Sequence, residues 1–314
     1  MRLDLLAALT GVMIALQARA NGELSHRLNN GLEAALVSFG SGLIIITVIS
    51  LFNPAIKSGI SNIRNAVKNG EIARWKLLAG ALGGSFVAIQ TQIVPLIGVA
   101  IYSVSSIAGQ TATSLFVDRI GLTGGGKKAI TGRRIAAAAL TVIAVLISVL
   151  DRIDSKNLSM IAVIAGCIAG AGVGVQRALN GQINEHSHQS FTTSLLNFIT
   201  GTSLLLIVLL IGVATHRTSF VPLPPGPWWI YTGGVIGVIY IAFTSTIVQH
   251  LGVLTFTLFS VGGQLVGSLV IDLVSPIDGV QISAYLVTGI IMTYAGVIAG
   301  GVSSSRVRKP TRHK

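Results

Sequence analysis

The chain has 314 residues, of which 51% are hydrophobic and only 10% charged, against about 25% charged in an ordinary soluble domain. Its mean hydropathy of +0.77 excludes the soluble globular class and leaves no stretch for a soluble catalytic domain. The formal net charge is +12, but the basic residues lie in linkers between apolar runs, which excludes a nucleic-acid partner and points to membrane lipid headgroups.

Ten apolar runs are expected to cross a bilayer as helices, which takes about 20 residues each. In chain order they are 3–21, 33–52, 75–95, 97–117, 133–151, 158–180, 190–214, 228–248, 253–274 and 282–303. The first imitates a secretory signal, with Arg2, an apolar centre and Ala18-Arg19-Ala20 in place of a cleavage site. Asp4 spoils the basic start, and the Gln-to-Asn-Gly pattern at 17–22 returns at 176–181, so the run is read as a span. Asn21-Gly22 and Asn180-Gly181 are each expected to end a helix as a C-cap would. Gln17 and Gln176, one turn earlier, are candidate cavity groups.

The run at 75–95 carries Gln90 and Gln92, which have no counterpart in the run at 228–248 (Phe243, Ser245), so Gln90 is a candidate substrate contact. The next run carries Ser106, Gln110, Ser114 and Asp118 at four-residue steps, which is one stripe on a helix. The run at 253–274 repeats it as Ser260, Gln264, Ser268 and Asp272. Two readings stay open. Ser106, Gln110, Ser260 and Gln264 line one shared cavity, or the stripes only bond helix to helix, at about 0.6 kcal/mol per bond.

Small residues mark close helix contacts: Gly80 and Gly84, Gly166 with Gly170 and Gly174, Gly233 and Gly237, Gly263 and Gly267, and Gly296 and Gly300 each share a face. Trp75, Trp228 and Trp229 open their runs and read as interfacial anchors, and Pro222–Pro227 reads as an extended loop. The lone Cys167 reads as packing. The histidines have no metal-ligand spacing, and no Walker loop, nucleophile elbow or dinucleotide glycine motif occurs, so no metal, cofactor or catalytic residue is expected.

The runs form a duplication. Adding 159 carries Gln17, Asn21-Gly22, Phe39 and Gly42 onto Gln176, Asn180-Gly181, Phe198 and Gly201. Adding 154 carries Gly109-Gln110, Ser114-Leu115 and Asp118 onto Gly263-Gln264, Ser268-Leu269 and Asp272, and Trp75 and Gly84 match Trp228 and Gly237. Five spans is an odd number, so the second copy enters from the opposite side. The expected fold is an all-α integral membrane protein of ten transmembrane helices in two inverted five-helix repeats, 1–157 and 158–314. With both termini cytoplasmic, 17 of the 22 Lys and Arg residues lie inside, which follows the positive-inside rule. Inversion then places Arg19 and Asp272 at the outer face and Arg177 and Asp118 at the inner face, and these are read as two alternating ion-pair gates.

Asn21-Gly22, Ser38-Phe39 and Gly42, then Pro227-Trp228-Trp229 with Gly233-Gly234 and Gly237, together with the two Gly-Gln…Ser-Leu…Asp motifs, resemble the drug/metabolite transporter superfamily in its YdcZ-like branch. The resemblance covers nearly the whole chain. It implies a bacterial inner-membrane carrier with its site between the repeats. The helix-1 carboxylate that small multidrug exporters use for proton coupling is absent, and Gln17 is the nearest polar group. The expected function is a secondary transporter, in the export direction, of a small metabolite or toxic compound. The alternative is a non-transporting membrane scaffold or lipid-handling protein. The partners implied are a small-molecule substrate and membrane lipids, and a homodimer is left open.

Overall fold

In a bilayer a backbone amide has no water to bond, so an apolar run must satisfy its own N–H and C=O groups, which a helix does within one segment. The computed structural model describes residues 3–122, 131–148, 158–251, 253–276 and 282–301, and every regular element among them is helical. In chain order these are α1 (Leu3–Leu28), α2 (Gly31–Phe52), α3 (Pro54–Lys68), α4 (Ala79–Ile120), α5 (Gly132–Ser148), α6 (Leu158–Ser187), α7 (Ser190–Ala214), α8 (Gly233–Leu251), α9 (Val253–Val274) and α10 (Ala284–Gly301). Among them five helices are long and apolar enough to cross a membrane, and three shorter apolar helices follow at Gly233–Val248, Phe259–Val274 and Ala284–Gly296. Short 3-10 turns at Arg74–Leu78 and Trp228–Tyr231 lead into α4 and α8, so the matched Trp75 and Trp228 precede equivalent helices. The junction at 151–157 and the basic tail from 302 lie outside the described residues.

The 42-residue α4 is two helices run together. Gly98 has φ +83°, which glycine adopts without a side-chain clash, and Pro95 removes an amide just before it. The chain doubles back there. Gln182 accepts from Lys76 Nζ at 2.7 Å and donates to the Leu122 carbonyl, although a straight helix would hold residues 76 and 122 about 70 Å apart. The spans expected at 75–95 and 97–117 are thus the two arms of α4, residues 79–97 and 99–120.

Two expectations are corrected. The segment 53–74, read as a linker, contains α3. Asn53 caps it by accepting from the Ala55 amide at 3.0 Å, and Pro54 stands in its first turn. Ile56, Gly59, Ile63 and Ala66 are buried while Lys57, Arg64 and Lys68 are exposed, an amphipathic pattern too polar to cross a membrane. Asn21-Gly22 and Asn180-Gly181 do not end their helices either, since α1 continues to Leu28 and α6 to Ser187. Gly22 serves space instead: a Cβ there would lie 2.7 Å from the Val94 side chain.

Two crossings organise the bundle, α1 on α9 and α6 on the second arm of α4. A Cβ on Gly11 would lie 1.8 Å from the Ser260 carbonyl oxygen, and one on Gly263 would lie 1.8 Å from that of Ala8. At the other crossing, a Cβ on Gly170 would lie 1.9 Å from the Ser106 oxygen and one on Gly109 would lie 1.8 Å from that of Cys167. Gly11 matches Gly170, and Gly109 matches Gly263. The same backbone-to-backbone contact is built twice, from opposite halves.

Contacts between helix ends fall into two groups. One joins Arg19 to Ser275, Arg27 to Pro225, Asn30 to Thr218, and Asp272 to Ala100. The other joins Lys76 and Leu122 to Gln182, Asn62 to Ser187, and Thr192 to Ile56. The C-terminal end of α1 is in the first group and that of its counterpart α6 in the second.

Candidate functional site

The repeat-matched residues Phe39 and Phe198 meet ring to ring, with centroids 5.1 Å apart and planes tilted by 44°. Each ring also covers the other half's glycine. A Cβ on Gly42 would come 2.2 Å from the Phe198 ring, and one on Gly201 would come 2.3 Å from the Phe39 ring. This reciprocity puts a local two-fold axis between the halves. Both rings line a cavity of about 30 Å³ at this axis, large enough as it stands only for water. Much of its lining comes in matched pairs, Ile14 with Val173, Gln17 with Gln176, Phe39 with Phe198, and Val87 with Tyr240.

The polar lining is held from behind. Gln17 Nε2 donates to the Gly233 carbonyl at 2.9 Å, and Gln176 Nε2 donates to Asn197 Oδ1 at 2.9 Å. Asn197 in turn donates to Asn180 Oδ1 at 2.7 Å and to the Thr193 carbonyl at 2.9 Å. In the first half Ser38 takes the place of Asn197 and is too short to bridge, so Asn21 Nδ2 reaches Gln90 Oε1 at 3.5 Å. Gln90 is therefore tied to Asn21 and does not line the cavity.

Ser106, Gln110, Ser260 and Gln264 are buried but do not line the cavity either. Their stripes share a helix face with the crossing glycines, where backbones approach too closely to leave space. Gln110 Nε2 donates to Ser106 Oγ at 2.7 Å, and Thr10 Oγ1 donates to Ser260 Oγ at 3.4 Å. The Gln264 amide has no hydrogen bond among the described residues. A buried amide without partners costs about 1–3 kcal/mol, so Gln264→Leu is expected to raise the unfolding temperature of the purified protein. A fall in transport at unchanged stability would return Gln264 to the substrate path.

Neither expected gate pair is formed. Arg19 bonds Glu23 at 3.1 Å and Ser275 at 2.9 Å, and its guanidinium lies 5.6 Å from the Trp229 ring centroid. Asp272 instead accepts two backbone amides at the start of the second arm of α4, Val99 at 3.3 Å and Ala100 at 2.8 Å. Arg177 donates from Nε and Nη2 to the Tyr240 hydroxyl at 3.3 and 3.1 Å, and from Nη1 to Thr257 Oγ1 at 3.1 Å. Asp118 is buried at the end of the second arm and is not bonded to Arg177. A capping aspartate satisfies amides that the Gly98 reversal frees, and the sequence stripe alone did not reveal this. The aromatic pair was legible as a matched Phe, but only the reciprocal glycines show its role. Asn197 was overlooked because Ser38 replaces it in the first copy.

A membrane-suited chain, helical throughout its described elements, whose halves both line a cavity between them has the architecture of a membrane transporter. A family model described as "Putative inner membrane exporter, YdcZ" matches the chain twice, over residues 3–147 and 161–299, and the protein belongs to that family. Fifteen solved chains also match. One, described only as "Crystal structure of protein", is 12% identical with a TM-score of 0.57 over 97% of this chain and 98% of its own, which is a likeness of fold. No curated protein matches the sequence.

Proposed function

We propose that the protein is a secondary exporter of a small metabolite or toxic compound, working by alternating access in two inverted five-span repeats, 1–157 and 158–314. The observation that carries this reading is the cavity on the local two-fold axis, lined by equivalent residues from both halves. A site on such an axis opens to one side or the other as the halves rock, and inverted repeats make the two openings nearly equal in structure. The opposed ends of α1 and α6 support inversion. At about 30 Å³ the cavity is too small for an organic substrate, so alternating access requires it to widen toward each side in turn.

Efflux tests it. A strain lacking the protein, screened on compound arrays with and without the plasmid-borne chain, should show sensitivity that the chain relieves. Gln17→Leu with Gln176→Leu should abolish at least nine-tenths of that relief while the protein is recovered folded. Full relief by the double variant would remove the cavity from the transport path. No relief for any compound would favour a scaffold.

Orientation has its own measurement. Both termini are proposed to be cytoplasmic, from the 17-to-5 split of the 22 basic residues. In a Cys167→Ala background, an impermeant thiol reagent on intact cells should label Ser155→Cys and spare Ser304→Cys. The reverse pattern would turn the molecule over.

A further inference from the structure

Arg177 is the bulkiest fully buried side chain among the described residues, and it stands one residue from the cavity-lining Gln176. Among the described residues all its partners are neutral: the Tyr240 and Thr257 hydroxyls, and the Phe256 ring with its centroid 5.1 Å from the guanidinium carbon. The matched position in the first half is Ala18, also buried, so the crossing does not need a guanidinium for packing. A buried charge is costly and ordinarily takes a counter-charge, and within membrane-spanning helices such a group marks a functional site.

The geometry at Tyr240 names the missing partner. The Nε and Nη2 edge of a guanidinium is shaped to hold two oxygens of one oxyanion. Here both nitrogens converge on a single phenolic oxygen, at 3.3 and 3.1 Å. Tyr240 itself lines the cavity, and its hydroxyl, used as an acceptor by Arg177, keeps its own proton with no acceptor bonded to it among the described residues. Besides the neutral amides of Gln17, Gln176 and Asn197, the lining is aromatic and aliphatic, with Phe39, Phe86 and Phe198 among it.

We propose that the site, once widened from its present volume of about 30 Å³, takes an organic monoanion, with its apolar body among Phe39, Phe86 and Phe198 and its charged group on Tyr240 and the Arg177 edge. A small rotation of Tyr240 gives the anion two guanidinium N–H bonds and one phenolic O–H bond. The inference rests on the proposed function only in taking this cavity as the carrier's binding site.

The test uses the full chain, purified in detergent, with probe pairs alike in shape and different in charge: benzoate against benzamide, hexanoate against hexanamide, and benzenesulfonate against benzenesulfonamide. The expected result is that anions raise the unfolding temperature of the wild type and their neutral partners do not. Arg177→Gln, monodisperse by size exclusion, should weaken anion binding at least tenfold. Arg177→Lys should keep part of the preference, and Tyr240→Phe should weaken it without removing it. If Arg177→Gln does not fold, a weakened preference in Tyr240→Phe together with a weakened one in Arg177→Lys decides the matter. Equal shifts from anion and amide in the wild type, no shift from any anion, or an undiminished preference in the Arg177 variants would each overturn the proposal. Proteoliposomes separate it from the carrier reading. Uptake of benzenesulfonamide faster than into protein-free liposomes, with none of benzenesulfonate, which does not leak through the bilayer, sinks the anion site and keeps the transporter. Anion binding with no flux of benzenesulfonate keeps the site and sinks the transporter.

Discussion

Gly109→Leu and Gly263→Leu should each leave little folded protein in the membrane, whereas Gly172→Leu should be recovered at the wild-type level. Between helices in lipid there is no hydrophobic drive, so close packing and backbone approach supply the attraction. At Gly109 a Cβ would sit 1.8 Å from the Cys167 carbonyl oxygen, and at Gly263 1.8 Å from that of Ala8. These obstacles are backbone atoms and cannot rotate away, so the helices must separate. Overpacking by a few methylenes already costs about 1–3 kcal/mol where side chains can yield, and the cost here is larger because each crossing joins the two halves. Gly172 lies on α6 as Gly170 does, but nothing stands within 4 Å of its Cβ position. Replacing it even gains helix propensity, up to about 1 kcal/mol. Recovery after detergent extraction and size exclusion, with the unfolding temperature, reads all three variants. Equal loss at Gly172 would mean that the variants fail in insertion and not at the crossings.

How much of this was legible in the sequence depends on the physical range of each signal. Apolar runs are local, and each expected run overlaps a helix, although α1 and α6 continue to Leu28 and Ser187, past the expected ends. The glycine spacing of α6 and α9 marked the crossings, because spacing on a helix fixes a face without knowledge of the partner. The Gly98 reversal falls at the break expected between the runs 75–95 and 97–117, where Pro95 and Gly98 went unread. Helix α3 was overlooked because a helix that lies along a surface has no long apolar run, although Asn53-Pro54 announced its start. The polar stripe of Ser106 and Gln110 was legible as a face, yet a face does not say whether water or a backbone lies opposite. Adjacent Gly109 held that answer, since a glycine beside the stripe means close approach. The cavity is a property of both halves together, and only the matched Gln17 and Gln176 pointed to it. Arg177 has no counterpart, and a lone charge in a duplicated chain is where symmetry gives no guidance.

Asp272→Ala should abolish transport and lower stability by about 3 kcal/mol, with Asp272→Asn losing markedly less. The carboxylate accepts the Val99 and Ala100 amides at the start of the second arm of α4. Those are among the first N–H groups of a helix, which have no partner within it. Both are buried, and each such group left unmade costs about 1–3 kcal/mol. The carboxylate also lies against the positive end of the helix dipole. Asparagine keeps one oxygen acceptor, and alanine keeps none. An ion-pair gate and a cap make opposite predictions for the charge swap. If Arg19 and Asp272 formed a gate, Arg19→Asp with Asp272→Arg would restore transport. Because Arg19 bonds Glu23 and Ser275 instead, the double variant should be at least as defective as Asp272→Arg alone. Rescue would reinstate the gate. The repeat extends the argument: Asp118 and Val253 stand where Asp272 and Val99 stand, 154 residues apart in each case. Asp118→Ala should therefore match Asp272→Ala in size, and a harmless Asp118→Ala would show that the two halves start these helices by different means.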